Sequence, residues 1–460
     1  MTSRLVCSGC GASPGPGAPF PFRCPNAGQR DDVDHVLRRE LDLARLRFPL
    51  DDPEPNPFVR FRALLHAYHV AREGGLTDDA FCALVRRLDG AVAAVEGHGF
   101  AATPFARSDD LSDRLGFSPA GGVWVKDETG NVSGSHKARH LFGVLLWLEV
   151  VESIGLADAA RRPELAVASC GNAALAAAVV AAAGGRALRV FVPEDADPLV
   201  LARLDELGAN VQVCERTGAA GDPTYAALLR SLDEGSLPFT CQGNLNGLAV
   251  EGGHTLGWEL AASGVRLDRL VVQVGGGALA SAVSRGLDEA AALGALPAVP
   301  RLDTVQTGGA WPLKRAFDAV AARGPEGLAY AVRHRSEFMW PWEHEPRSVA
   351  HGILDDETYD WAAVVEGMLA TGGRPLVVDE DTLVRANDLA RDASRIDVDP
   401  TGSAGLAGLF ALRDAGEVGE DERVAVLFTG VVRTHEPTRR NRDEELSRPG
   451  HPVAEGLRAR

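Results

Sequence analysis

Residues 271–287, VVQVGGGALASAVSRGL, connect an apolar run to a helical pattern through three consecutive glycines. The valine-rich run is typical of a buried β-strand, and the alanine-rich segment after the glycines is typical of a helix. Glycines at such a junction let the backbone approach an anion closely. The spacing fits neither a P-loop nor a dinucleotide-binding fingerprint. We interpret the loop as a phosphate cradle, and an ordinary packing turn is the alternative.

The alternation of strand and helix continues on both sides of this loop. The predicted strands are Val123–Lys126, Leu165–Ser169, Leu188–Val192, Val211–Cys214, Leu270–Val274 and Val424–Phe428. The predicted helices between them are Lys137–Val151, Ala173–Ala183, Pro198–Leu207 and Leu279–Ala292. Apolar strands that alternate with helices indicate an α/β fold with mostly parallel sheets flanked by helices. Ligands bind such sheets at the carboxyl ends of strands, which selects the loops at 127–136, 169–172 and 275–278.

The first of these loops leads into Lys137, which directly follows Ser-Gly-Ser-His at a predicted helix start. Of the 47 basic residues, 44 are arginines, and the only lysines are Lys126, Lys137 and Lys314. Arginine cannot form a Schiff base because its guanidinium group stays protonated. We place Lys126 at a strand end and Lys314 within a helix. Lys137 is therefore the candidate for imine chemistry, with an ordinary surface lysine as the alternative.

The second loop, Ser169-Cys170-Gly171-Asn172, lies between a predicted strand and an alanine-rich helix. Its backbone N–H groups and the helix N-terminus suit a carboxylate, and the Asn172 amide is a further donor. A plain turn with an asparagine cap is equally consistent with these residues. A lysine, an amide donor and a phosphate cradle at three strand–helix junctions together match the needs of pyridoxal phosphate.

Four motifs in the same order, SGSHKAR, SCGNAALA, VGGGAL and FTG, resemble the tryptophan-synthase β-subunit superfamily of pyridoxal-phosphate (PLP) enzymes, fold type II. GNLNGLAVEGGHTLGWEL and DPTGSAGLAGL look more like the threonine synthases in that superfamily. The resemblance covers roughly residues 100–435. It implies two open, mostly parallel sheets flanked by helices, and a homodimer.

The resemblance also implies roles for individual residues. Lys137 would hold the cofactor as a Schiff base and move the Cα proton, and Asn172 would bind the phenolic oxygen. Ser169, Cys170 and Gly171, with Asn172, would receive the substrate carboxylate. Thr429 would face the pyridine nitrogen, where no Asp or Glu falls at the matching position, and Asp399 just before the PTGSAG turn is an acidic residue to check. The phosphate would be held by Gly275, Gly276, Gly277, Ala278 and Leu279.

A neutral hydroxyl at the ring nitrogen leaves it unprotonated, so elimination or replacement is favoured over transamination. We expect threonine synthase-like chemistry on an amino acid with a leaving group at Cβ or Cγ. A phosphorylated substrate would need cations, for which Arg139 and residues 333–335 are candidates. The alternatives are an ammonia-lyase for serine, threonine or diaminopropionate, and a β-replacing synthase. A non-catalytic ligand- or metal-binding protein on the same fold is an alternative of a different class, and a nicotinamide-dependent oxidoreductase is disfavoured.

Residues 1–55 are predicted to form a small extension, and helical periodicity begins near Asp31 (DDVDHVLRRELDLARL). Cys7, Cys10 and Cys24 resemble part of a zinc ribbon, but the position three after Cys24 is Ala27 and only the distant His35 could complete four ligands. We therefore expect a remnant ribbon held by packing, with no metal. Residues 56–435 are the expected catalytic region, with a smaller subdomain at about 125–245, and 436–460 the expected disordered tail.

The net charge of −17 argues against nucleic-acid or anionic-membrane partners, which need a basic surface. The longest apolar run is too short to span a bilayer, and the N-terminus lacks a signal-peptide core. Seven dispersed cysteines, an odd number, favour reduced thiols. The sequence thus predicts a cytoplasmic enzyme that acts on a small amino acid.

Overall fold

The structure is a computed structural model that describes residues 2–15, 17–28, 31–215 and 222–433. The predicted tail at 436–460 lies outside these residues. The described strands are β1 (Ser3–Cys7), β2 (Leu37–Leu41), β3 (Phe105–Ser108), β4 (Gly122–Asp127), β5 (Leu165–Ala168), β6 (Leu188–Pro193), β7 (Asn210–Cys214), β8 (Leu237–Pro238), β9 (Arg269–Gln273), β10 (Arg301–Thr307), β11 (Pro375–Val378) and β12 (Arg423–Phe428).

The helices lie between and around these strands. They are α1 (Pro57–Arg60), α2 (His66–Glu73), α3 (Asp78–Glu96), α4 (Asp109–Arg114), α5 (Lys137–Ser153), α6 (Asn172–Ala183), α7 (Pro198–Glu206), α8 (Pro223–Asp233), α9 (Gly247–Ala262), α10 (Ala278–Ala292), α11 (Pro312–Ala322), α12 (Gly327–Ala331), α13 (Trp361–Thr371), α14 (Glu380–Ser394) and α15 (Pro400–Asp414). All ten strands and helices predicted after Gly122 are present, with ends that differ by a residue or two. Lys126 lies in β4 and Lys314 in α11, as predicted.

The larger sheet has six strands in the order β11-β10-β9-β12-β4-β3. Every neighbouring pair is parallel except β3 with β4. The central strand β9 is buried along its whole length because helices cover both faces of the sheet. In sequence, β9, β12 and β4 are far apart, yet they are adjacent in space, so the loops after them open at one edge.

A second sheet of four parallel strands has the order β7-β6-β5-β8. Its strands all fall within residues 165–238, between α5 and α9 of the chain. The two sheets confirm the predicted α/β class with two open, mostly parallel sheets. Helix α5 is buried from Ala138 to Val151, because it packs in the centre of the main core and its charged residues Arg139 and Glu149 have ion-pair partners.

The helix predicted from Asp31 is wrong. That segment forms β2, which pairs antiparallel with β1 from Ser3↔Leu41 to Cys7↔Leu37. Alternate residues Leu37 and Arg39 are buried, the period of a strand, and a short 3-10 turn follows at Leu43–Arg45. A second 3-10 turn, Arg62–Leu64, separates α1 from α2. No helix in the described part of the chain is both long and apolar enough to cross a bilayer.

Candidate active site

Lys137 is the first residue of α5 and is half-buried, whereas the residues that follow it in the helix are buried. The preceding turn is tight, with Ser133 at a φ of 59° and Gly134 at 67°. Ser135 then pairs with Gly430 in an isolated antiparallel bridge. These contacts hold the lysine at the open end of α5, beside the end of β12.

The glycine loop after β9 has the shape of an anion cradle. Gly277, with a φ of 94°, is the N-cap of α10 and offers no side-chain acceptor. The N–H groups of the first turn of α10 therefore have no side-chain cap and can donate to an anion. A Cβ at Gly275 would collide with the Asp355 carboxylate, and one at Gly276 would lie 2.9 Å from the Tyr359 ring. The loop therefore requires glycine, and its donors suit a phosphate.

Thr429 follows β12 and is 2% exposed. Its Oγ1 accepts a hydrogen bond from Nε2 of Gln273 at 2.6 Å, and Gln273 is the last residue of β9. Because β12 lies between β9 and β4, Thr429 lies between the glycine loop and the Lys137 loop. The topology of the sheet thus brings three sequence motifs to one edge.

Asn172 reaches the same edge from the other sheet. Its Oδ1 accepts a hydrogen bond from Arg433 at 2.7 Å, and its amide also contacts the Asp399 carboxyl. A Cβ on Gly430 would lie 2.8 Å from Asn172 Nδ2, so the side chain touches the segment directly after Thr429. Asn172 is the first residue of α6 and caps no helix, which removes the asparagine-cap alternative.

Solvent reaches the loop before Asn172. Ser169 and Gly171 are partly exposed, Cys170 is exposed, and the Gly171 N–H contacts Ser169 Oγ at 3.4 Å. Asp399, the acidic residue that the sequence marked for checking, is the N-cap of α15, where its carboxylate accepts a hydrogen bond from Gly402 N–H at 2.5 Å. The Asp399 carboxyl therefore has a structural partner of its own.

An acidic segment that the sequence pattern did not single out covers the glycine loop. Thr358 Oγ1 donates to the Gly275 carbonyl, and the Asp360 N–H donates to the Gly276 carbonyl, both at 2.9 Å. Burial raises the pKa of Asp355 to about 6 and that of Asp360 to about 7, although the charge of Lys137 acts to lower both. The sequence of this segment, DDETYD at residues 355–360, contains no motif from which its contact with the glycine loop could be predicted.

Arg139, a candidate for binding a substrate phosphate, is instead part of a buried ion network. Its guanidinium contacts Glu128 at 2.7 Å and Glu259 at 2.6 Å, and Lys126 contacts Glu259 at 2.6 Å. These side chains are 3% exposed or less. The network ties β4, α5 and α9 together behind the site, so Arg139 is unavailable to a ligand.

The second cationic candidate, residues 333–335, follows α12 and contacts the N-terminal extension. Arg335 contacts the Asp34 carboxylate at 3.2 Å and is also paired with Glu357. Within the segment, Arg335 therefore has two carboxylate partners and links the extension to the acidic segment. His136 and His140 flank Lys137, and burial lowers the pKa of both, so they are neutral neighbours of the lysine.

Comparison with known proteins gives a family match. Residues 98–430 match the family model described as pyridoxal-phosphate dependent enzyme. The threonine synthase of Methanosarcina acetivorans is 27% identical over 332 residues, covering 71% of this chain and 74% of that protein. The phenylserine dehydratase of Ralstonia pickettii is 26% identical over 335 residues, covering 71% and 88%.

Solved structures share the fold. The processed form of threonine deaminase isoform 2 from Solanum lycopersicum aligns with a TM-score of 0.57 at 17% identity, over 78% of this chain and 92% of that one. Maize serine racemase aligns with a TM-score of 0.56 at 18% identity, over 79% and 97%. The family match spans the two sheets and all four motifs. The chain belongs to the family of pyridoxal-phosphate dependent enzymes.

Proposed function

We propose that this PLP-dependent enzyme catalyses elimination or replacement on an amino acid with a leaving group at Cβ or Cγ. The observation that carries the proposal is the convergence of Lys137, the glycine loop, Thr429 and Asn172 at one edge of the larger sheet. When bound, pyridoxal phosphate supplies an electron sink for a carbanion at Cα of the amino acid.

The residues present fit this cofactor. In our proposal Lys137 binds it covalently and Asn172 donates to its phenolic oxygen. The N–H groups of the cradle, Gly275, Gly276, Gly277, Ala278 and Leu279, hold the phosphate. The loop Ser169, Cys170 and Gly171, with Asn172, receives the substrate carboxylate, and its exposure supports this role. Lys137 Nζ then takes the proton from Cα of the substrate.

Thr429 decides the class of reaction. Gln273 donates to Thr429 Oγ1, so the hydroxyl proton of Thr429 is left to point at another acceptor. A ring nitrogen that accepts this proton in a hydrogen bond is not itself protonated, which makes the ring a weaker electron sink. Loss of a leaving group from Cβ or Cγ then competes well with transamination.

Threonine synthase-like replacement is our first assignment, supported by the threonine synthases among the relatives and by the GNLNGLAVEGGHTLGWEL and DPTGSAGLAGL segments. The second candidate is β-elimination of a hydroxyl group, as the name of the dehydratase relative indicates for that protein. A specific observation favours it. The Asp355 and Asp360 carboxyls lie near enough to Lys137 for its charge to lower their pKa values, and Arg139 is already paired, which is unfavourable for a phosphorylated substrate.

The proposal also covers the oligomeric state, the location and the division of the chain. We propose a homodimer in the cytoplasm, consistent with seven free cysteines, all of them among the described residues. We retain 1–55 as an extension, 56–435 as the catalytic region and about 125–245 as its smaller subdomain. The four-stranded sheet lies inside that subdomain, whereas β4 belongs to the larger sheet. Light scattering on the purified protein tests the dimer.

Covalent trapping tests the cofactor assignment. The protein is loaded with PLP, reduced with borohydride and digested, and the peptide that carries the added mass is identified. We expect the mass on the Lys137 peptide, and no stable adduct in Lys137→Ala. Lys314→Ala is the matched control, because Lys314 lies in α11 and pairs with Asp318 on the surface. An adduct that persists at full yield in Lys137→Ala would contradict the assignment.

A substrate panel separates the two candidates. Phosphohomoserine, serine, threonine and 3-phenylserine are offered to the loaded enzyme, and released phosphate, ammonia and keto acid are measured. Phosphate release with threonine formation supports replacement. Ammonia and keto acid from a hydroxyamino acid support elimination. Transamination of the whole panel, with neither outcome, would refute the role given to Thr429.

A further inference from the structure

The N-terminal extension brings four metal-ligating side chains together, outside the residues that match the family model. Cys7 ends β1, Cys10 lies in the turn that follows, Cys24 lies in the connection to β2, and His35 comes shortly before β2. The ligand atoms of these four residues all lie within 4.8 Å of one another. We propose that Cys7, Cys10, Cys24 and His35 form a structural zinc site.

The distances within the cluster have the size that tetrahedral zinc requires. Cys10 Sγ and Cys24 Sγ are 3.6 Å apart, and Cys7 Sγ lies 3.6 Å from His35 Nδ1. Tetrahedral bonds of about 2.3 Å to sulfur and about 2.0 Å to nitrogen place ligand atoms roughly 3.5–3.8 Å apart. A disulfide would need sulfurs at about 2.0 Å. The cluster therefore has the dimensions of a four-ligand site.

A second set of contacts orients these ligands. His35 Nε2 lies 3.1 Å from the Asp31 carboxylate, which accepts a hydrogen bond from the Nε2–H group. The other ring nitrogen, Nδ1, is then an acceptor that faces the thiols. The backbone N–H of Asn26 donates to Cys24 Sγ at 3.4 Å, and its side-chain amide donates to Cys10 Sγ at 3.6 Å. Donors toward sulfur stabilise thiolates, and a carboxylate behind the histidine is typical of zinc sites.

The hydrophobic packing around the four ligands is small. Among the described residues, the cluster at the ligands contains three buried side chains, Cys7, Cys24 and Leu37, two of which are proposed ligands, whereas Leu5 and Phe22 of the extension pack in the main core. A metal that joins the turn after β1 to the segment before β2 would therefore add stability where apolar contacts are few. The sequence pattern did not predict the site, because His35 replaces a ligand expected at Ala27 and approaches only when β2 pairs with β1.

The site would secure a strand that supports the catalytic region. Arg39 in β2 is buried and contacts Glu251 of α9 at 3.0 Å and Glu289 of α10 at 2.6 Å. Helix α9 packs on α5, which begins at Lys137. Zinc would therefore stabilise the packing of β2 against α9 and α10, and it would take no part in the chemistry at Lys137.

Metal analysis of the full chain, purified without chelator, tests the proposal. We expect one zinc per chain, and visible absorption bands of tetrahedral thiolate-bound cobalt after exchange for Co²⁺. Cys24→Ser and His35→Ala should lose stoichiometric metal, and Asp31→Asn should bind it about 10–100-fold more weakly. Cys82→Ser is the matched control, because Cys82 is a buried free thiol in α3 and should leave the metal content unchanged.

Chelation of the wild-type protein keeps the test independent of variant folding. Removal of zinc should lower the unfolding temperature, and one equivalent of Zn²⁺ should restore it. The proposal is overturned by wild-type protein that binds no zinc, by a Cys10–Cys24 disulfide found by mass spectrometry, or by His35→Ala that retains full zinc affinity. Borohydride trapping at Lys137 is read separately, so a negative metal result leaves the proposed function intact.

Discussion

Replacement of Glu259 by glutamine tests whether the ion network behind Lys137 stabilises the catalytic region. The Glu259 carboxylate contacts Lys126 and Arg139 at 2.6 Å each, in surroundings where all three side chains are 3% exposed or less. Burial alone would raise the pKa of Glu259, but the charges of Arg139 and Lys126 outweigh it and hold that pKa below its ordinary value. Glu259 is therefore a buried anion that two buried cations require.

Glutamine keeps the shape and removes the charge, which leaves Lys126 with the Thr103 carbonyl and Arg139 with Glu128. Removal of one partner from a buried pair costs about 3–5 kcal/mol. At an unfolding entropy of about 2 cal/mol/K per residue, a chain of this length loses roughly 1 °C of Tm per kcal/mol. We expect Glu259→Gln to unfold about 3–5 °C below the wild type in calorimetry at neutral pH.

The matched control is Asp318→Asn, which breaks the solvent-exposed pair with Lys314 one helical turn away. An exposed pair of this kind contributes about 0.3–0.5 kcal/mol, so its Tm should change by less than about 1 °C. If Glu259→Gln and Asp318→Asn shift the Tm by the same small amount, the network does not stabilise the fold and the reasoning is refuted.

Gly275→Ala should weaken PLP binding at least about 10-fold by equilibrium titration, because its Cβ would collide with Asp355 and force the cradle apart; Gly90→Ala, which meets nothing within 4 Å, is the control. Thr429→Val should lower kcat about 10-fold through loss of one hydrogen-bonding hydroxyl, whereas Thr429→Ser should retain it, and equal rates in the two variants would refute the role of the hydroxyl. Burial raises the pKa of Asp360 to about 7, so the folded apoprotein keeps a proton that the unfolded chain releases from about pH 4 upward, and stability falls as pH rises through this range. Asp360→Asn should remove this loss, on the order of 4 kcal/mol relative to wild type at pH 7.5, and denaturant titrations with parallel pH profiles for both proteins would contradict it.

Most of the strands that were predicted from sequence are apolar and largely buried, and the mostly exposed β7 is the exception. Val123–Lys126 and Leu270–Val274 are apolar runs next to glycine loops, so pattern and structure agree. Strand β10, RLDTVQT, was missed because it carries charged and polar residues, yet Asp303 is buried there as the partner of Arg269. A sequence pattern cannot show that a charge will be neutralised by a residue far along the chain.

The error at β2 has a similar cause. Its leucines fit helical spacing and alternate spacing equally well over so short a segment, and Arg39 reads as a solvent-exposed residue. In the structure Arg39 is buried because Glu251 and Glu289 neutralise it. Pairing with β1 then satisfies the backbone as a strand.

The sequence by itself identified the candidate groups: one lysine at a helix start, a loop of three glycines, and an amide and a hydroxyl at strand ends. Each depends on residue type and local backbone geometry, which a few neighbouring residues specify. The tertiary structure alone decided which groups share a site, because the strand order β9-β12-β4 pairs residues as distant in sequence as Gly122 and Arg423, which are 301 positions apart. It also placed Asp355 over the cradle, paired Arg139 internally and brought His35 to the cysteines, since these are long-range contacts that no local pattern records.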